Sequence, residues 1–214
     1  MTESDGVLYS LMHSRRSVRE FQSKMLPTEM IEALLEAAVT APSASNKQPW
    51  RFLVIRSSSL KENLATNIEE AVKRVEQSLD EDFKGVFASY GNYFTRFRGA
   101  PVVIVALYRS LTLLSNMLTD SISDEDRAAI EVMEERSGLV STSLAIQNLL
   151  LMAHEMGLGA SGMTGPLLAQ SELRDSLSIS PSWSIAAFIP VGFPAEEPVA
   201  KPRKSIDKIV KWLD

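Results

Sequence analysis

The most restrictive passage of the chain is GLVSTSLAIQNLLLMAHEM, from Gly138 to Met156, which holds a single formally charged side chain, Glu155. Its length predicts a helix of about five turns. A helix with so little charge must be buried almost all round, in a core or at a subunit interface. No apolar run approaches the ~20 residues of a membrane span, so protein has to cover it.

The neighbouring segments supply that cover. Trp50 to Ile55 is short and apolar enough for a strand, and Pro101 to Leu107 (PVVIVAL) is uniformly apolar and β-branched, the pattern of a strand covered on both faces. Ile185 to Val191 reads as a second central strand. Ile31, Leu34, Leu35 and Ala38 fall on one face of a helix over residues 28 to 39, with Thr28 as its N-cap and Pro42 beyond its end. Leu60 to Ser89 predicts one or two surface helices. Residues 110 to 137 are mixed and acidic, with a loop at Ile122 to Arg127 before a new helix. Lys201 to Asp214 reads as a basic loop followed by a short amphipathic helix. Neither a repeat nor a linker divides the chain, which predicts one domain over residues 1–214 and an α+β or α/β three-layer fold.

Composition narrows the chemistry. With no cysteine, the chain has no thiol nucleophile, zinc knuckle or redox dithiol, so redox work would require a bound cofactor. A formal net charge of −5 argues against a nucleic-acid partner. The opening MTESDGVLYS lacks the basic and apolar regions of a secretory signal, so a cytoplasmic location without membrane association is expected. Two histidines, His13 and His154, are too few for a multi-histidine metal site, and no metal is expected. His154, on an apolar helix, reads as a hydrogen-bonded core or interface residue. No G-x-S-x-G elbow marks a serine hydrolase.

Four passages could carry a ligand. Gly157 to Gly162 satisfies G-x-G-x-x-G, yet it follows a helix where a dinucleotide fingerprint follows a strand, and its first glycine suits a helix C′ position. With Met163, Thr164 and Gly165 it offers backbone N–H groups that a flat ligand can approach closely. Trp50, Phe52, Met152 and Met156 read as core, and Met163 is set apart from them because it lies in the glycine run. Arg15, Arg16, Ser17 and Arg19 place three guanidinium groups and a hydroxyl within five residues, suited to phosphate or, equally, to a solvated turn. Lys201, Arg203 and Ser205 form a second basic cluster, and both termini could build one phosphate pocket. Ala41 to Trp50 is rich in small and amide residues; it could read a heterocycle edge or be an ordinary turn.

Taken together, RRSVREF, APSASNKQPWRF, APVVIV, GLGASGMTGP, PVGFP and KPRK, in that order along almost the whole chain, resemble the nitroreductase superfamily of FMN-dependent flavoproteins. The resemblance implies an α+β fold, a three-layer sandwich with a mainly antiparallel sheet, and an intertwined homodimer with FMN at the subunit interface. It implies hydride transfer from NADH or NADPH by a ping-pong route to nitroaromatics, quinones or activated alkenes. Arg15, Ser17, Arg19, Lys201 and Arg203 would hold the phosphate and ribityl chain, with Arg16 nearby. Pro42, Ser43 and Ala44 would touch the flavin from the partner and Asn46 from the first subunit. Met163, Thr164 and Gly165 would lie along the isoalloxazine. Tyr93 and Arg96 stand where many members carry an amide and a lysine toward the pyrimidine edge. No side chain is expected to act as acid or base, since the hydride chemistry belongs to FMN. A specialised branch, reductive dehalogenation or flavin fragmentation, and a non-catalytic FMN-binding sensor or storage dimer are the alternatives.

Overall fold

The computed structural model describes residues 6–196, 198–200 and 202–213. Four strands, β1 (Trp50–Ile55), β2 (Val102–Tyr108), β3 (Gly159–Ala160) and β4 (Ser184–Gly192), form one sheet in the order β1-β2-β4-β3. Every pairing is antiparallel. The two uniformly apolar strands occupy the middle: Val102 to Ala106 of β2 are fully shielded, as are Phe188, Ile189 and Val191 of β4. Alternate residues of β2 and β4 then serve different cores, because side chains of a strand point to opposite faces in turn. Val102, Ile104 and Ala106 pack with the helix α2 (Thr28–Val39) and the long helix α5 (Asp124–Glu155), whereas Val103, Val105 and Leu107 pack with α3 (Ser58–Glu76) and Phe97. Helices therefore cover both faces of the sheet, as the three-layer reading expects.

Several boundaries differ from the sequence reading. α5 begins at Asp124, well before Gly138, so the expected loop at Ile122 to Arg127 is mostly its first turn. Ser123 caps it by accepting the Asp126 N–H, and three acidic residues face the positive end of the dipole. Thr28 is the first residue of α2 rather than its cap; its hydroxyl accepts from Arg56 instead. Residues 60 to 89 resolve into α3 and α4 (Glu81–Gly91). The expected C-terminal helix is a single 3-10 turn, Ile206–Lys208, on an exposed segment, consistent with the marginal stability of a short helix that packs on nothing.

The end of α5 is built as expected. Gly157, at φ 72°, donates to the His154 carbonyl while Leu158 donates to that of Ala153, the paired bonds of a Schellman cap. Leu158 then leads directly into β3.

A buried carboxylate fixes the other half of α5. Glu134, 3% exposed, accepts from the Leu114 N–H (2.6 Å), the Ser115 N–H (3.3 Å) and the Ser115 hydroxyl (2.5 Å). Burial alone would raise its pKa, but these hydrogen bonds outweigh burial and hold it below the ordinary carboxylate value. A depressed folded pKa contributes stability that is complete above the unfolded value and lost as pH falls through the folded one. Glu134→Ala, which strands three donors, is expected to cost about 2–3 kcal/mol at pH 7. The penalty should shrink below about pH 4, where the unfolded carboxyl protonates. Paired thermal melts at pH 7 and pH 4 check both the size and the sign.

Candidate functional site

The arginine cluster starts where α1 (Val7–Ser14) ends. Arg16 turns back on that end, donating through Nη1 to the carbonyls of His13 (2.6 Å), Ser14 (2.9 Å) and Arg15 (2.9 Å), a cation at the negative end of the helix. The chain then runs extended beside β3. Ser17 bridges Ala160 in parallel, Val18 N–H donates to the Ala160 carbonyl, and a Cβ on Gly159 would lie 2.5 Å from Val18. Gly159 is thus required by close approach, not by its φ. This pairing sets Arg15, Ser17 and Arg19 beside the glycine run.

Arg15 is the electrostatic centre. Its Nε is buried with no hydrogen-bond partner among the described residues. Burial first, then the Arg203 and Arg16 guanidinium groups, push its pKa down. The two termini are therefore brought to one place, as expected; Lys201, assigned to the same cluster, lies outside the described residues. Tyr9, Met12, His13, Arg16, Pro202 and Arg203 line an open cleft of about 720 Å³ beside it. His154 closes the back of the cluster. Its Nε2 lies 2.8 Å from the Ser14 hydroxyl, which also lies 2.8 Å from the Ser10 carbonyl. Partial burial, then Arg15 and Arg16, lower its pKa.

Met163, Thr164 and Gly165 follow β3. Met163 exchanges both backbone hydrogen bonds with Phe188, and its side chain is 7% exposed within the core beside α3. That corrects the reading that set its side chain apart from the core: bridging to β4 turns it inward. Thr164 and Gly165 differ. They open a 3-10 turn, Gly165–Ala169, whose first N–H groups have no acceptor within the turn, and neither donates to a backbone carbonyl among the described residues. The two N–H groups are thus available to a ligand. Gly165 is also pressed against Phe94, 2.1 Å from where a Cβ would stand.

Phe94 links this edge to Tyr93 and Arg96. The Arg96 guanidinium lies 4.3 Å from the Tyr93 ring centroid, and its Nη1 is 3.1 Å from the Glu20 carboxylate. Glu20 follows Arg19, so the arginine segment, the glycine run and the Tyr93–Arg96 turn share one surface. No sequence signal marked Glu20 or Phe94, because the contacts that join them to this surface, with Arg96 and Gly165, are with residues remote in sequence.

Pro42, Ser43, Ala44 and Asn46 lie elsewhere. Their turn, between α2 and β1, packs against the middle of α5 in a groove of about 510 Å³ lined by Val132, Met133, Val140 and Leu144. Ala44 N–H donates to the Ser141 hydroxyl, whereas the arginine cluster meets α5 at His154. Those two points are 13 residues apart, about 20 Å along a helix. Ser45, Asn46 and Gln48 all have positive φ (50°, 51° and 47°), a left-handed backbone in three residues other than glycine. Each such residue costs about 1–2 kcal/mol, less for Asn, and strain of this kind collects at ligand sites.

The chain is similar to known proteins over most of its length. A family model described as "Nitroreductase family" matches residues 12–193. A Bacillus subtilis protein provisionally named an NAD(P)H nitroreductase is 28% identical over 94% of this chain and 91% of its own length. An iodotyrosine deiodinase of Hydra vulgaris is 29% identical over 100% of this chain, which spans 75% of the Hydra protein. The crystal structure of an iodotyrosine deiodinase bound to FMN and 3-iodo-L-tyrosine has the same fold, with a TM-score of 0.74 at 24% identity over 97% of this chain and 99% of that one.

Proposed function

Because the chain belongs to the Nitroreductase family, we propose that it is an FMN-dependent oxidoreductase that takes hydride from NADH or NADPH and delivers it to electron-poor acceptors. Nitroaromatics, quinones and activated alkenes are the acceptor class. One observation carries the reading: Arg15 holds a buried Nε that has no hydrogen-bond partner among the described residues while facing Arg203 and Arg16. Three guanidinium groups so placed repel one another until an anion with several oxygens joins them, and a phosphate monoester fits that need.

The residues present fit FMN. Arg15, Ser17, Arg19 and Arg203, with Lys201, would hold the phosphate and ribityl chain. Arg16, committed to the end of α1, would contribute its charge rather than its fork. The N–H groups of Thr164 and Gly165 would meet the N5 edge, Met163, bonded to Phe188 through both backbone groups, would hold them in place, and Arg96 beside Tyr93 would face the pyrimidine edge. Bound FMN would supply the hydride-accepting centre; the protein orients, shields and tunes it. Donor and acceptor would use the same face in turn, the arrangement of a ping-pong exchange.

The turn holding Pro42, Ser43, Ala44 and Asn46 sits about 20 Å along α5 from Arg15. A single flavin could touch both only if a second copy supplied the turn, so the working unit is a homodimer. Asn46 then belongs with the partner's turn rather than with the first subunit. The exposed apolar residues support the same reading: Val132, Met133, Val140 and Leu144 of α5, Val7, Leu8 and Met12 of α1, and Ile206, Ile209 and Leu213 beyond.

The deciding measurement is the visible spectrum of the purified protein, followed without oxygen as NADPH and then NADH are added. Bleaching of a flavin spectrum by one of them, with recovery on adding a quinone or nitroaromatic, is the expected result. A protein that neither carries nor takes up FMN would refute the assignment. The deiodinase relative favours a second reading, reductive removal of iodide from an iodinated phenol. Release of iodide from 3-iodotyrosine by the reduced protein would establish it.

A further inference from the structure

We infer that Ser141 is a positioning residue for the flavin site: from α5 it holds the turn at residues 43–48 in the strained shape with which that turn meets its ligand. The inference rests on the reading that places this turn against a flavin.

Among the described residues, one hydrogen bond joins residues 43–48 to the rest of the protein, from Ala44 N–H to the Ser141 Oγ at 3.3 Å. Ser141 is 3% exposed, and its hydroxyl proton is spent on the Ser137 carbonyl at 2.7 Å, which leaves an oxygen lone pair aimed at the turn. The remaining bonds are internal. Gln48 N–H donates to the Ser43 hydroxyl (3.0 Å), Asn46 N–H to the Ser43 carbonyl (2.9 Å) and Lys47 N–H to the Ala44 carbonyl (3.1 Å). An internal network can close a turn, but it cannot fix where the turn sits on α5. Ser141 does that, and so selects the conformer in which Ser45, Asn46 and Gln48 are left-handed.

The fold does not depend on this hydroxyl. Its bond to Ser137 is the back-bond to residue i−4 that helices tolerate rather than need, and alanine is the better helix former. Loss of Ser141 therefore falls on the turn, and binding then has to reorder the turn each time.

The test uses the full chain in three forms. In the apo-protein, Ser141→Ala should speed hydrogen exchange at the Ala44 amide about tenfold or more while leaving the melting temperature unchanged. Its FMN dissociation constant should rise about tenfold, the size expected for losing one hydrogen bond that orders a binding turn. Adding Ser45→Gly should recover part of that loss, because glycine occupies the left-handed region without strain. A general packing defect would not be repaired by a change at an exposed turn residue. Unchanged Ala44 exchange, unchanged FMN affinity in Ser141→Ala, or a loss that Ser45→Gly leaves untouched would each overturn the inference. A wild-type protein that takes no FMN would instead overturn the reading beneath it, and the exchange measurement would still decide whether Ser141 holds the turn.

Discussion

Arg15→Ala should yield a protein that folds normally but loses FMN, with the dissociation constant raised about a hundredfold or more. Removing one partner of a desolvated, charge-assisted contact costs about 2–5 kcal/mol of binding, and the Arg15 Nε is buried. Without ligand the effect on stability should reverse. The buried Nε, without a partner among the described residues, and the repulsion from Arg203 and Arg16 are costs the apo-protein bears, so apo Arg15→Ala should melt at or above the wild-type temperature. Fluorescence titration with FMN and melts with and without it check both signs together. Arg203→Ala, at an exposed position, should weaken binding less. A destabilised apo Arg15→Ala protein would mean that the cluster is structural, and the phosphate assignment would fall with it.

The second large effect lies in the scaffold. A Cβ on Gly138 would stand 2.1 Å from the Arg109 carbonyl oxygen and 3.0 Å from its carbon. The obstacle is backbone at the end of β2, so no side chain can rotate away, and Gly138→Ala is expected to cost about 3 kcal/mol or more. In a chain of this size that lowers the melting temperature by about 6–12 °C. Gly85, in the exposed α4, has nothing within 4 Å of an added Cβ, so Gly85→Ala should instead gain about 0.5–1 kcal/mol. Opposite signs from the same substitution, read in parallel melts, would show that contact at Gly138, and not helix propensity, sets the result.

Much of this was legible beforehand because local pattern and tertiary role coincide. PVVIVAL can only be a covered strand, and the nearly charge-free half of α5 can only be an interior or interface helix. The order of motifs from RRSVREF to KPRK identified the family that the chain-wide match then established. What escaped shares another character. The start of α5 was hidden because its first turns face solvent with a polar surface, leaving only the Ser123 cap as a signal. Ser141, Glu134 and Glu20 each work through bonds to residues distant in sequence, which no periodicity reveals. Met163 was misjudged because the glycines around it suggested an open loop, whereas its backbone bridge to Phe188 fixes the side chain in the core. The C-terminal segment carries amphipathic spacing, but with nothing to pack on it makes only one 3-10 turn.

α5 carries the arginine cluster at one end and the Ser43–Asn46 turn near its middle, and this has a genetic corollary if two copies share each flavin. A chain damaged at Arg15 and a chain damaged at Ser141 fail in different halves of the same composite site. When the two pair, one site receives both lesions and the other receives neither. Such alleles would therefore complement each other, up to one sound site per mixed pair, whereas two lesions in the same half would not.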